Sequence, residues 1–192
     1  MKFLLPLLAL AFFVSGCACC APPDSAPASG NRTLVQFGRD TGLAGWQVEN
    51  DDVMGGLSRG RLEINEAGNA LFTGTVSLEN NGGFSSIQQA FAPVDVSAYR
   101  AVCLGLKGDG KRYQLRVQSS ADASHAYAFD FDTGGEWEVV EIPFADMYAI
   151  RHGDRLDRPN YPGQTLGHLQ LLIGNGRAES FQLEIDRIWL IP

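Results

Sequence analysis

The chain has 192 residues and carries 15 Lys and Arg against 22 Asp and Glu, a formal net charge of −7. An acidic balance gives no electrostatic footprint for nucleic acid and disfavours lying flat on anionic lipid. The length fits one domain with a sizeable core. At the N-terminus, Lys2 is the one early charge and Phe3 to Val14 is an almost unbroken apolar run, short for a bilayer span, as in an export signal. Residues 18–32 are mostly Ala, Pro, Ser, Gly and Asp without periodicity, the composition of a flexible tether. From Thr33 the pattern has period two. Leu34, Val35 and Phe37 open a strand, Trp46 and Val48 form a short apolar run, and Leu62 and Ile64 alternate within Arg61 to Glu66. Asn69 to Leu78 and Phe84 to Phe91 are strands, Pro93 to Tyr99 a connection, and Ala101 to Leu106 an apolar strand. Gly108-Asp109-Gly110 reads as a hairpin turn. Beyond it Tyr113, Leu115 and Val117 share one face, with Gln114, Arg116 and Gln118 on the other.

Tyr127, Phe129 and Phe131 form an aromatic stripe at strand spacing, and Gly134-Gly135 leads into Trp137 and Val139. Asp146 to Pro162 is the one long irregular stretch. Leu166 to Ile173 is a strand, Asn175-Gly176 reads as a hairpin turn, and Phe181 to Ile191 completes the pattern. No stretch has helical periodicity beyond a turn or two. Many short strands with regular turn signals predict an all-β sandwich or barrel.

Val14-Ser15-Gly16-Cys17 resembles a bacterial lipobox. The resemblance implies a signal peptide at 1–16, acylation of Cys17, and a lipidated tether at 17–32 carrying a domain at 33–192. The chain would then sit in the bacterial cell envelope, with Ala18 favouring the outer membrane and the domain facing the periplasm. Cys19 and Cys20 fall in the tether, and Cys103 lies in an apolar run as a small buried hydrophobe.

Two polar turns are the least ordinary features. Asn50-Asp51-Asp52-Val53-Met54-Gly55-Gly56-Leu57-Ser58 places two acids, a Gly pair and a hydroxyl between apolar runs. Asn80-Asn81-Gly82-Gly83-Phe84-Ser85-Ser86 repeats the recipe. Such Gly pairs permit positive φ or close backbone approach, and Asn and Asp can hold a turn through their own side chains. On one reading these turns form a binding surface: Asn50, Asp51, Asp52, Asn80 and Asn81 supply polar contacts, with Ser58 beside them. Gly55, Gly56, Gly82 and Gly83 let a ligand near, and Met54 and Phe84 give apolar contact. On the other, both blocks specify the fold by locking sheet to sheet.

These blocks, with Trp46, Phe72-Thr73-Gly74-Thr75-Val76-Ser77, Gly108-Asp109-Gly110-Lys111-Arg112-Tyr113, Trp137 and Ile142-Pro143-Phe144, resemble the complex I intermediate-associated protein 30 family. The resemblance covers nearly all of residues 33–192. It implies a galactose-binding-type jelly-roll β-sandwich. It also implies a non-catalytic module for protein interaction or assembly, chaperone-like. The family's eukaryotic members are assembly factors for respiratory complex I on the matrix side of the inner membrane, and a lipobox departs from that setting. The same fold group contains carbohydrate-binding modules, so a cell-envelope glycan binder is the alternative reading.

Gly56-Leu57-Ser58-Arg59-Gly60 matches the G-x-S-x-G hydrolase elbow as text, but a strand rather than a helix follows, which makes hydrolysis a distant third. Asp51 and Asp52 could pair with Glu79 or Asp109 as glycosidase carboxylates. No cofactor is expected, save a structural calcium on Asp51, Asp52 and Asn80, whose oxygens suit a hard cation. Three scattered His make no zinc set. Tyr127, Phe129 and Phe131 are either a sugar-stacking platform or a core face, and Trp46 and Trp137 either buried anchors or ligand partners.

Overall fold

The computed structural model describes residues 30–192. The expected signal peptide, the lipidation site Cys17 and most of the tether therefore lie outside the described residues. Two antiparallel sheets pack face to face. The first has six strands. β3 (Arg59–Ile64), β4 (Ala70–Val76), β13 (Glu179–Ile191), β6 (Ala101–Lys107) and β9 (Trp137–Pro143) lie in that order, and β1 (Arg32–Gln36) also pairs with β13. The second has seven, in the order β11 (Asp154–Arg155), β10 (Tyr148–Arg151), β8 (Ala126–Asp132), β7 (Arg112–Gln118), β12 (Thr165–Ile173), β5 (Ser85–Asp95) and β2 (Trp46–Asn50). The only helical pieces among the described residues are single 3-10 turns at Asp51–Met54, Glu79–Asn81 and Phe144–Asp146.

The period-two pattern explains which side chains meet between the sheets, because alternate residues of a strand face one side. Leu104, Leu106, Leu183, Ile185, Ile188 and Leu190 line the inner face of the first sheet, and all are fully buried. Tyr113, Leu115, Val117, Leu169, Leu171 and Ile173 do the same from the second. Each such Leu or Ile contributes about 2 kcal/mol by leaving water. Phe131 is buried beside Tyr113, and Tyr127 and Phe129 pack on the same core, so the aromatic stripe is a core face and not a platform.

β13 holds the six-stranded sheet together. Its first half pairs with β4, from Glu179 opposite Val76 to Ile185 opposite Ala70. Its second half pairs with β1 on that same flank, from Arg187 opposite Gln36 to Leu190 opposite Arg32. Its other flank pairs with β6, with one slip in register between Ile185 and Arg187.

Several local expectations need correction. Gly108-Asp109-Gly110 and Asn175-Gly176 are not hairpins. The first carries the chain from β6 in one sheet to β7 in the other, and the second from β12 back to β13. Side chains make these corners: Asp109 accepts Tyr113 Oη–H at 3.1 Å, the Gln182 N–H at 2.8 Å and Lys111 Nζ at 2.7 Å. Asn175 Nδ2 donates to the Arg112 carbonyl at 3.0 Å and to Glu179 at 2.8 Å. β5 runs on through Pro93 to Asp95. Its partner β2 reaches only from Ser85 to Gln89, so Pro93 lies where that flank of β5 is unpaired and no N–H is required. The irregular stretch contains a true hairpin, β10–β11, turned by His152 and Gly153 with φ of 52° and 93°. Two central residues at positive φ match the twist of a two-residue hairpin. Trp46 packs on Phe37 at 5.4 Å between ring centroids and is an anchor. Trp137 is 47% exposed on the edge strand β9 and is not a buried anchor.

Candidate functional site

The two polar turns meet. Asp51 opens the 3-10 turn that ends at Met54, and its carboxylate is buried. It accepts the Ser58 N–H at 3.1 Å, the Ser58 hydroxyl, the Gly83 N–H at 2.6 Å and the Phe84 N–H at 3.3 Å. Burial alone would raise its pKa. The Ser58 hydroxyl and the three N–H donors outweigh that and hold it below the ordinary 3.8. Asn50 Oδ1 accepts the Gly60 N–H at 3.0 Å and the Ser85 hydroxyl at 2.7 Å. Asn80 Nδ2 donates to the Gly55 carbonyl at 3.1 Å. Asn50, Asp51, Ser58, Asn80, Gly83 and Phe84 are thus brought together, as one hydrogen-bonded knot between β2, β3 and β5.

The glycines serve this knot. A Cβ on Gly56 would collide with the Asp51 carboxylate and come within 2.7 Å of its carbonyl oxygen. One on Gly82 would lie 2.7 Å from Asp51 Oδ2 and from the Ser77 carbonyl. Gly55 is needed instead for its φ of 79°. Asn80 and Asn81 are exposed with φ of 55° and 59°, a conformation asparagine tolerates better than most residues. Asp52 stays outside the knot, paired with Arg59 at 3.1 Å on the exposed surface.

Ser58 is fully buried, donates to Asp51 and accepts the Ser77 N–H at 3.0 Å, and β3 follows it directly. It lacks the exposure and the strand–helix setting of a nucleophile elbow. The donors around Asp51 are N–H and O–H groups, a poor fit to a cation, and Asp52 and Asn80 point to partners of their own. Among the described residues no three His, Cys, Asp or Glu side chains gather as a metal ligand set.

A second feature lies beside the knot. The outer face of the seven-stranded sheet carries a groove of about 610 Å³, bordered at one end by Gly83 and Phe84. Its floor follows from strand register: Gln88 of β5, Gln170 of β12 and Arg116 of β7 lie opposite one another. Tyr148 of β10 continues the row through Ala128. Their inner neighbours are Ile87, Leu169, Leu171, Leu115 and Val117, which fix the row's outward direction.

The polar floor is wired. Gln170 Nε2 donates to Ser86 Oγ at 3.0 Å and to Glu49 at 3.4 Å. Arg116 Nε donates to Gln114 Oε1, and Gln114 Nε2 donates to Tyr148 Oη at 3.0 Å and Asp130 at 2.8 Å. Tyr148 Oη–H donates to Asp130 Oδ2 at 2.6 Å. Burial first, then the Asp130 bond and charge, push the Tyr148 phenol up to about 12. Burial pulls the Arg116 guanidinium below its ordinary value, against the pull of Tyr148, Asp130 and Glu49. A joined recess of about 390 Å³ extends the groove past Tyr148 to Arg155, whose guanidinium stacks 4.6 Å from the Tyr148 ring centroid.

Sequence reasoning singled out only Gly83 and Phe84 of this groove as site residues. The signal for the rest was present: Gln114, Arg116 and Gln118 alternate with core residues, and His168 and Gln170 interrupt an apolar run at period two.

Residues 35–185 match the family model of complex I intermediate-associated protein 30 (CIA30). The chain belongs to that family. No curated protein matches the chain in sequence. Solved structures resemble this CIA30 domain in fold. A family 11 carbohydrate-binding module from Clostridium thermocellum, in complex with a β-1,3-1,4-mixed-linked tetrasaccharide, superposes with a TM-score of 0.60 at 16% identity, over 85% of this chain and 96% of that one. The family 11 module of the cellulosomal cellulase Lic26A-Cel5E of Clostridium thermocellum gives 0.61 at 17% identity, over 85% and 95%. An agarase gives 0.54 at 9% identity, over 85% of this chain and 25% of the enzyme. At these identities the likeness shows the fold, and the CIA30 domain is a jelly-roll β-sandwich.

Proposed function

We propose that this CIA30 domain is a non-catalytic binding module whose groove takes an extended, hydroxyl-rich chain, a glycan of the cell envelope. The carrying observation is the outward polar row Gln88, Gln170, Arg116 and Tyr148, held by hydrogen bonds to its neighbours. Four strand spacings separate β5 from β10, so the row is about 19 Å long, room for several sugar rings. Amides and guanidinium groups at that spacing offer repeated donors and acceptors to hydroxyls. Carbohydrate-binding modules of the same fold support the reading by analogy. Acylation of Cys17 would hold the module at the membrane, with the acidic domain standing off.

Calorimetric titration of the full chain in detergent micelles with a panel of neutral and charged oligosaccharides tests this. Saturable binding weakened by Gln170→Ala and untouched by Arg61→Gln supports it. Absence of binding to every member sinks it.

A second reading, a protein-interaction or assembly module, rests on the family match and on the exposed apolar pair Trp137 and Val139 at the open edge of β9. Edge strands with such pairs accept other chains. Crosslinking in intact cells that captures one membrane complex, lost on Val139→Glu, would favour this reading.

A further inference from the structure

The charge of the groove opposes the charge of the domain. Lys2 and Asp24 cancel, so residues 30–192 keep the chain's net charge of −7. Yet the groove and its recess bring in Arg116 from β7 and Arg151 and Arg155 from the β10–β11 hairpin. No carboxylate lies within ion-pair distance of these three among the described residues, although seven such pairs occur elsewhere. Arg112, at the far end of the recess, is paired with Asp132. The acids facing the space are Glu49 from β2 and Asp130 from β8, the latter already accepting from Tyr148 and Gln114. The half-buried Arg116 feels Asp130 and Glu49 only beyond ion-pair distance, which leaves it short of a close counter-charge.

All three histidines of the chain line the same groove: His125 before β8, His152 in the hairpin turn and His168 on β12. Two buried side-chain polar atoms among the described residues lack any hydrogen-bond partner, and both belong to this set, His125 Nε2 and His168 Nδ1. His168 is only 9% exposed. Its Nε2 donates to Gln88 Oε1 at 3.2 Å, so in the neutral ring Nδ1 is a bare acceptor. Protonation turns Nδ1 into a second donor. Orphaned buried polar atoms are rare, and these two nitrogens lie closed off within the groove wall, where a charge on either ring acts on the groove through space.

We infer that the groove recognises anionic sugar units, uronates or sulfate esters, whose oxygens sit on Arg116 with Arg151 and Arg155 beside it. The inference rests on the glycan reading above and narrows it. Arg116 supplies a permanent charge and a planar fork of donors. Arg151 and Arg155 extend the positive edge toward the recess, while Glu49 at the opposite rim repels an anion and sets its direction. His168 lies one register step from Arg116 in the groove wall, so its protonation adds positive charge beneath the anion and binding tightens on acidification. Burial lowers the free His168 pKa, which places that protonation on the acidic side of neutrality.

The test uses the full chain in micelles and four probes: tetragalacturonate, the same tetrasaccharide with methyl-esterified carboxyls, a sulfated galactan tetrasaccharide and tetraglutamate peptide. Tetragalacturonate or the sulfated probe should bind at least tenfold more tightly than the methyl ester, and the better of the two names the source of charge. Affinity should rise at least threefold from pH 7.5 to 5.5, and His168→Gln should flatten that rise. Arg116→Gln should weaken binding tenfold or more, and the exposed Arg151→Gln, which leaves the fold untouched, should weaken it several-fold. Equal or tighter binding of the methyl ester overturns the inference and leaves the glycan reading standing. Binding of tetraglutamate as tightly as of the sugars also overturns it, in favour of an acidic peptide. Binding of none of them, nor of neutral oligosaccharides, removes both.

Discussion

The Asp51 carboxylate accepts the Gly83 N–H at 2.6 Å across 32 positions of sequence. This bond and those beside it tie the entry of β5 to the exit of β2. Hydrogen bonds to a buried charged group are worth about 1.5–3 kcal/mol each when broken, because the donors are left unpaired. Asp51→Asn should therefore lower the unfolding free energy by roughly 3 kcal/mol in urea titration, with Ser58→Ala costing less. A loss below about 0.5 kcal/mol would place the knot outside the energetics of the fold.

The same carboxylate sets an acid limit. Its folded pKa lies below its ordinary 3.8, so its contribution is fully present above that value. It is lost as pH falls through the depressed folded value. Melting temperature recorded from pH 6 down to 2.5 should drop more steeply at the acid end in the native chain than in Asp51→Asn.

Adjacent glycines should answer differently to alanine. Gly56→Ala drives a methyl into the Asp51 carboxylate and backbone, and should cost about 2–3 kcal/mol or more. Gly55→Ala meets nothing within 4 Å and pays only for φ of 79°, about 1 kcal/mol. Equal losses in denaturant titration would contradict the steric account.

Chelation should leave the melting temperature unchanged, since the Asp51 oxygens are taken by N–H and O–H donors. A fall of several degrees on adding EDTA, reversed by calcium, would show a cation site elsewhere in the chain.

Cys103 is 2% exposed on β6, and burial, then the Glu141 charge, raise its thiol pKa against a weaker pull from Arg100. Maleimide should leave it unlabelled at neutral pH until denaturant unfolds the domain. Fast native labelling at this residue, read by mass spectrometry, would show that β6 and β9 part.

Sequence legibility followed local physics. Alternation located strands such as β7, where Leu115 is buried and its neighbours Gln114 and Arg116 face out, and largely apolar runs located β6 and β12, nearly every residue of which is buried. It could not tell a hairpin from a sheet-to-sheet corner. Gly108 to Gly110 carries the same residues either way, and the difference lies in Asp109 reaching Gln182, 73 positions distant. Pro93 was misread as a strand end because the length of β2, which frees that flank, is not encoded near Pro93. The two Gly-Gly turns were legible as special. Their mutual contact was not, since Asp51 finds Gly83 only after β5 has docked. The groove was dispersed over six strands, and its histidines, 27 and 16 positions apart in the order His125, His152, His168, have no spacing that announces a site.

β13 stands between β6 on one flank and β4 and β1 on the other, and it runs from Glu179 to Ile191. Every other strand of that sheet precedes it in the chain: β3 can pair with β4 and β6 with β9, but the two pairs join only through β13. β1, formed some 150 residues earlier, has no partner until Arg187 to Leu190 emerge. Such non-local pairing delays closure of the six-stranded sheet, while the seven-stranded sheet does not need β13 at all. The six-stranded sheet is therefore completed last, when β13 enters between β4 and β6 and gives β1 its partner.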